Sequence, residues 1–220
     1  MPVPPYPIRA VLFDLDGTLI ETHIDFPAMT RSMQAMARDA RVPEEVIAGR
    51  DILSIVRAAA GDIAGRGGDG PAFRQEAFAA LEEMEVAGCA SPTLLPGTEA
   101  LLDDLRSRGI KVGVVTRNCR RVSAGLLEQF SLPHDALLTR DDVAHTKPDP
   151  QHLWDALAAL GHAPSEAAMV GDHWMDIQAG RRAGVALTVG VLGHHAPDWF
   201  APCPPDALAR DLAEAEGRFR

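Results

Sequence analysis

The sequence predicts an α/β fold: a doubly wound parallel sheet with a Rossmann-like core, carrying a small inserted helical cap domain. Three observations predict it. Short apolar runs alternate with amphipathic helical patterns through most of the 220 residues. The runs are continuous rather than alternating in polarity, as expected of parallel strands covered on both faces by crossover helices. The alternation is interrupted once, from about Glu21 to Pro92, where helical patterns follow one another with no convincing strand between them.

In chain order, Ile8–Phe13 reads as the first strand and Ile110–Val115 ("IKVGVV") as the second. "DALLT" at Asp135–Thr139 is the third, "AAMV" at Ala167–Val170 the fourth and "VALTVGVL" at Val185–Leu192 the fifth. Helices are expected over Thr98–Arg108, Arg120–Phe130, Pro150–Leu160 and Trp174–Ala183. Within the interruption the helical stretches are Phe26–Ala40, Glu44–Ala60 and Ala72–Ala87, with Met29, Met33 and Met36 at helical spacing on a packing face. "GDIAGRGGDGP", Gly61–Pro71, reads as a flexible, exposed loop. The expected division is a core of residues 1–20 and 94–220 and a cap of residues 21–93. Hinges fall near Ile20–Ile24 and Ser91–Gly97, where Pro92, Pro96 and Gly97 cluster.

A hydrophobic fraction of 46% with 24% charged residues is ordinary for a globular protein able to bury a sizeable core. The net charge of -10 argues against a nucleic-acid partner, because such binding draws its affinity from neutralising phosphates. Cys89, Cys119 and Cys203 form no CxxC pair and no disulfide framework. The opening "MPVPPYPIRA" lacks the basic and apolar regions of a secretory signal, and no apolar run approaches the ~20 residues that span a bilayer. A cytoplasmic protein with no membrane partner is the expectation; nothing in the sequence fixes the oligomeric state.

Ligands of open parallel sheets bind outside the carboxyl ends of the strands. Here the first strand runs into Asp14-Leu15-Asp16-Gly17-Thr18 and the second into Thr116-Arg117-Asn118. The loop after the third reaches Lys147-Pro148, and the fourth ends in Gly171-Asp172 with Asp176 following. Acids at the mouth of a buried strand are costly unless paired or bound to metal. This collection suits phosphoryl transfer assisted by a hard cation. Mg²⁺ prefers oxygen ligands, which Asp14 and Asp172 can supply. Lys147 and Thr116 would stabilise the transferring oxygens. Attack by Asp14 on a phosphate monoester would form an aspartyl phosphate. Residues two apart on an extended strand point the same way, so Asp16 can serve the same ligand as the proton donor and later the base.

"DLDGT", "VVTRN", "KPDP" and "GDHWMD", in this order at strand exits, resemble the haloacid dehalogenase-like hydrolase superfamily, in particular its phosphoglycolate phosphatase-like branch with a helical cap after the first motif. The resemblance covers almost the whole chain. It implies Asp14 as nucleophile, Asp16 as acid/base, and Thr116 and Lys147 on the phosphate. It also implies Mg²⁺ held by Asp14, Asp172 and the backbone carbonyl of Asp16, with Asp176 in the outer shell of the ion. Two departures stand out: Arg117 follows the motif-two threonine, where many relatives have Asn or Gly, and His173 and Trp174 follow Asp172 where a small residue is common. Arg117 is accordingly a candidate phosphate contact, with Arg50 a candidate substrate grip in the cap.

Singly, each signal has a plainer reading. Asp172 can cap the helix that begins near Trp174, Lys147 can be a solvated turn lysine, and Thr116 an ordinary strand-end residue. His194 and His195 read as loop residues and Cys119 as a helix-start residue. Four motifs in order favour the enzyme: a Mg²⁺-dependent phosphatase of a small phosphorylated metabolite, phosphoglycolate-like or a sugar phosphate. The alternatives are a phosphoglucomutase-type phosphotransferase on the same fold, or a non-catalytic or phospho-accepting regulatory domain. A carbon–halogen dehalogenase is disfavoured, since such relatives lack the second acid that Asp16 provides.

Overall fold

A computed structural model describes residues 7–219; Met1–Tyr6, most of the N-terminal stretch read above, and Arg220 lie outside the described residues. The strand β1 spans Ala10–Phe13 and β2 Ile20–Glu21, followed by helices α1 (Phe26–Asp39), α2 (Glu44–Ile47), α3 (Ile52–Gly65) and α4 (Gly70–Gly88). Then come β3 (Thr93–Leu94), α5 (Thr98–Ser107), β4 (Lys111–Val115), α6 (Arg120–Gln129) and β5 (Ala136–Leu138). The chain continues through α7 (Gln151–Leu160), β6 (Ala167–Gly171), α8 (Trp174–Ala183), β7 (Leu187–Val191), β8 (Ala207–Ala209) and α9 (Leu212–Ala215). It divides into two compact units: one takes the chain up to Thr22 and from Pro92 onward, the other is His23–Ser91.

In the first unit six parallel strands form one sheet in the order β5-β4-β1-β6-β7-β8. β1, β6 and β7 are buried along their whole length, which explains their unbroken apolar runs. Alternate residues of β1 serve opposite faces. Ala10 and Leu12 pack with Leu153, Ala156 and Leu157 of α7 and with Ala179 and Ala183 of α8. α5 and α9 pack against each other, with α5 on β4 and α9 on β7 and β8. The chain leaves β1 for β4 and β5 on one side and returns to β6 on the other, so the strand order reverses at β1. Such a switch point opens a crevice at the strand ends.

The sequence reading differs from the structure at several elements. A sixth strand, β8, was not anticipated: three residues at the sheet edge, following a proline-punctuated segment, carry almost no periodic signal. The pair β2 and β3, a two-residue antiparallel ribbon, is likewise too short to read.

The second unit is helical and holds its own core, in which Met29, Met33, Ile55, Val56, Phe73 and Leu81 are buried. Met36 packs against that core, so the methionine stripe is a packing face. Glu44–Ala60 is not one helix but two: Ala48 is extended after Ile47, and the Asp51 carboxylate recaps the chain by accepting from the Ser54 N–H. The glycine-rich Gly61–Pro71 is not a loop throughout. Its first five residues finish α3, and Asp69 caps α4 by accepting from the Ala72 N–H, with Pro71 in the first helical turn. Gly70 is required where the two helices meet, because a Cβ there would collide with the backbone carbonyl of Ala60. Gly70→Ala is therefore expected to lower stability by about 1–3 kcal/mol, read as a lower urea midpoint.

The connection from β5 to α7, which carries Lys147, is fixed by a buried histidine. His152 has no solvent exposure. Its Nδ1 accepts from the Lys147 backbone N–H at 3.3 Å, and its Nε2 faces the Leu138 carbonyl at 3.2 Å. That pairing requires the neutral ring with the proton on Nε2. Burial, reinforced by the nearby Lys147 charge, lowers its pKa to about 3. Since the folded value lies below the unfolded one, the unfolded chain binds the extra proton between about pH 6.5 and 3, and stability is lost as pH falls through that window. Wild type is expected to lose roughly 1.4 kcal/mol more per pH unit than His152→Asn in that range, read from urea melts at stepped pH.

Candidate active site

The sheet register sets the site. Phe13 pairs with Val114 of β4 and Val170 of β6, so the residues that follow these strands leave the sheet side by side. Asp14 N–H still donates to the Val170 carbonyl at 2.9 Å, tying the first acid to the neighbouring strand. Beyond it, Leu15–Ile20 folds into a tight turn in which Gly17 has φ +79° and its N–H donates to the Ile20 carbonyl. A side chain at Gly17 would be strained by that φ and would run into the Asp172 carboxylate. Thr18, fully buried, lies with its Oγ1 3.4 Å from Asp172 Oδ1.

At the centre stands Lys147, whose side chain is 1% exposed. Its Nζ lies 2.8 Å from Asp14 Oδ1 and 2.7 Å from Asp176 Oδ1. Burial alone would lower its pKa; the two carboxylates outweigh that, so the value is raised and the ammonium stays charged. The second oxygen of Asp176 accepts from the His173 N–H at 3.1 Å. Its approach depends on Gly171, where any Cβ would collide with the Asp176 carboxylate. His173, not Asp172, is the N-cap of α8: its Nδ1 accepts from the Met175 N–H at 3.2 Å. Asp172 is thus left out of helix capping and turned to the acids. Burial pushes the His173 imidazole down to about 4.

One oxygen each of Asp14, Asp172 and Asp176 lie within 4.8 Å of one another. Three acids, Asp176 buried and Asp14 and Asp172 half-buried, against one buried lysine leave negative charge unbalanced. Burial raises Asp172 well above the usual carboxylate range, with Asp14 and Asp176 adding to it against the pull of Lys147. Asp14 is also raised by burial, against Lys147 and with a contribution from Asp176. A cluster of hard oxygen donors, with Asp14 and Asp172 raised above the usual carboxylate range, suits a small divalent cation such as Mg²⁺.

Asp16 stands apart from this trio. Its carboxylate accepts from Thr22 Oγ1 at 3.1 Å and from Asn118 Nδ2 at 3.3 Å. The orientation of Asn118 follows from its other contact, in which Oδ1 accepts from the Cys119 N–H at 2.9 Å. Thr116 Oγ1 is buried and accepts from the Asn118 N–H at 3.1 Å. Asn118 therefore links the second motif to the second acid, a role the sequence reading missed. Thr22 was missed as well; the turn over Leu15–Ile20 returns the chain to Asp16 six residues on. The Arg117 guanidinium lies against Met175 Sδ of α8 at 3.0 Å. Cys119 starts α6 as its N-cap. Arg50 belongs to the second unit, where its Nε donates to the Val46 carbonyl. No helix among the described residues is long and apolar enough to cross a membrane.

The family model of the haloacid dehalogenase-like hydrolases matches residues 8–184. The chain is similar to the N-acetylmuramic acid 6-phosphate phosphatase of Pseudomonas aeruginosa, with 32% identity over 87% of this chain and 85% of that one. It is also similar to the phosphoglycolate phosphatase of Rhodospirillum rubrum, with 33% identity over 84% of this chain and 80% of the relative. In fold it resembles the crystal structure of a phosphatase of the same superfamily from Thermococcus onnurineus, with a TM-score of 0.62 at 24% identity, over 96% of this chain and 97% of that one. The chain belongs to the haloacid dehalogenase-like hydrolases, in their phosphoglycolate phosphatase-like branch.

Proposed function

We propose that this phosphoric monoester hydrolase acts in the cytoplasm on a small phosphorylated metabolite, phosphoglycolate-like or a sugar phosphate, through an aspartyl-phosphate intermediate on Asp14. The observation that carries the reading is the fully buried Lys147 ammonium between Asp14 and Asp176, beside a third acid, Asp172. The named activities of the two phosphatase relatives support the substrate class.

In the first step Asp14 attacks phosphorus, and the bond from phosphorus to the substrate oxygen breaks. Asp16, held by Thr22 and Asn118, gives its proton to the departing alkoxide. In the second step the Asp16 carboxylate takes a proton from water, whose oxygen attacks the phosphorus of the acyl phosphate. Asp14 is released as a carboxylate, and inorganic phosphate leaves. Lys147 and Thr116 bind the phosphoryl oxygens that gain charge, with Arg117 a further contact in the same reading. Asp14, Asp172 and the Asp16 carbonyl would hold Mg²⁺, which supplies the positive charge that lets a carboxylate approach a phosphate dianion. Asp176, engaged through both oxygens by Lys147 and the His173 N–H, is suited to orient those ligands from behind.

Two substitutions test the assignment. Asp14→Asn is expected to abolish phosphate release from 2-phosphoglycolate and from p-nitrophenyl phosphate; hydrolysis at the wild-type rate would remove Asp14 as nucleophile. Asp16→Asn should slow the alkyl phosphate by about 10²–10⁴-fold. The burst of nitrophenolate should survive far better, because that leaving group departs without a proton. Equal losses in the first-turnover rates of both substrates would take the acid role from Asp16, whereas steady-state rates also contain its role as base in the second step.

A further inference from the structure

The segment between β7 and β8 reaches the site from outside the four motifs. Residues Pro197–Phe200 form a short 3-10 turn in it. Phe200 anchors the turn, 2% exposed and packed with Ile177 of α8 and Cys203. The seat depends on Gly190 of β7, where a Cβ would stand only 2.9 Å from two carbons of the Phe200 ring. With Phe200 fixed inward, its neighbour Trp199 lies on the outside, 39% exposed. Its indole Nε1–H donates to the backbone carbonyl of Asp172 at 2.7 Å. The His195 ring stacks on the indole at 4.1 Å and 4°, and His173 meets its edge at 5.7 Å and 76°.

A tryptophan left 39% exposed gains only part of the burial its ring offers, so its placement is explained better by the bond it makes. The β6–β7 ladder ends at the pair Gly171 and Gly190, one residue before Asp172. Past that point the sheet no longer supplies a donor for the next carbonyl, and the indole does. Asp172 also has reason to move: two other carboxylates lie within 4.8 Å, and like charges repel. We propose that Trp199 is a positioning residue for Asp172, clamping its backbone so that the carboxylate faces Asp14 before a divalent cation arrives. Thr18 Oγ1 donates to the carboxylate itself, at 3.4 Å. Holding ligands in place ahead of binding reduces what the cation must order, so the clamp acts on affinity.

The inference rests on the reading of Asp172 as a cation ligand, and the test separates the two. Mg²⁺ is titrated calorimetrically into the substrate-free protein, with melting temperatures taken alongside. Trp199→Phe keeps the ring and removes the donor, and is expected to weaken Mg²⁺ binding about three- to tenfold with little change in melting temperature. His195→Ala, which removes only the stacking partner, should weaken it less and serves if Phe at 199 loosens the segment. Asp172→Asn should all but abolish binding. Unchanged affinity in both Trp199→Phe and His195→Ala, with binding lost in Asp172→Asn, overturns the clamp alone. Wild-type affinity in Asp172→Asn overturns the ligand reading, and the clamp with it.

Discussion

A lysine ammonium out of contact with water must be matched by carboxylates, and the architecture around the switch point answers that demand. The two acids that contact Lys147 come from separate elements: Asp14 from the exit of β1 and Asp176 from the first turn of α8. The lysine comes from the connection between β5 and α7. None of the three is stable there alone, because an isolated charge in such a place costs several kcal/mol. The ion pairs therefore tie three stretches of chain to one point, where removing either partner would leave a buried charge uncompensated. With Asp172 added, the acids outnumber the base, and that surplus is the electrical basis for proposing a cation.

Around the charged centre lies a layer of neutral groups whose bonds leave little room for alternative geometry. His152 holds the backbone of Lys147, and Asn118 spans from Thr116 to Asp16. A carboxamide with its oxygen already committed to the Cys119 N–H can offer only its nitrogen to Asp16. In the proposed reaction such a layer would fix Lys147 and Asp16 before substrate arrives, the kind of preorganisation from which enzymes draw much of their rate enhancement.

How much of this was legible in the sequence depends on how each residue is placed. Asp14, Thr116 and Asp172 sit at the ends of buried strands, and a parallel sheet delivers its strand ends to one rim. Reading the apolar runs was therefore enough to expect these residues at one rim, where Asp14 and Asp172 do lie close together. Lys147 could be grouped with them because its loop begins at the same rim. Asn118, Thr22, His152 and Trp199 were not legible, because their roles depend on side-chain direction and on contacts between distant segments. The helical insert was visible as an absence of strands, but the break at Ala48–Asp51 was passed over, although Gly49 at φ +69° and the N-cap Asp51 are the stop and start signals that mark it. The glycine-rich stretch misled for a related reason: glycine at a close helix crossing has the same letter as glycine in a loop.

Gly17 and Gly171 share a property with an evolutionary consequence. At both positions a carboxylate occupies the volume in which any other residue would place its first side-chain carbon. The acids are seated in gaps, so a side chain at either glycine would displace Asp172 or Asp176. Under the proposed function, a change of substrate would fall to positions other than these two.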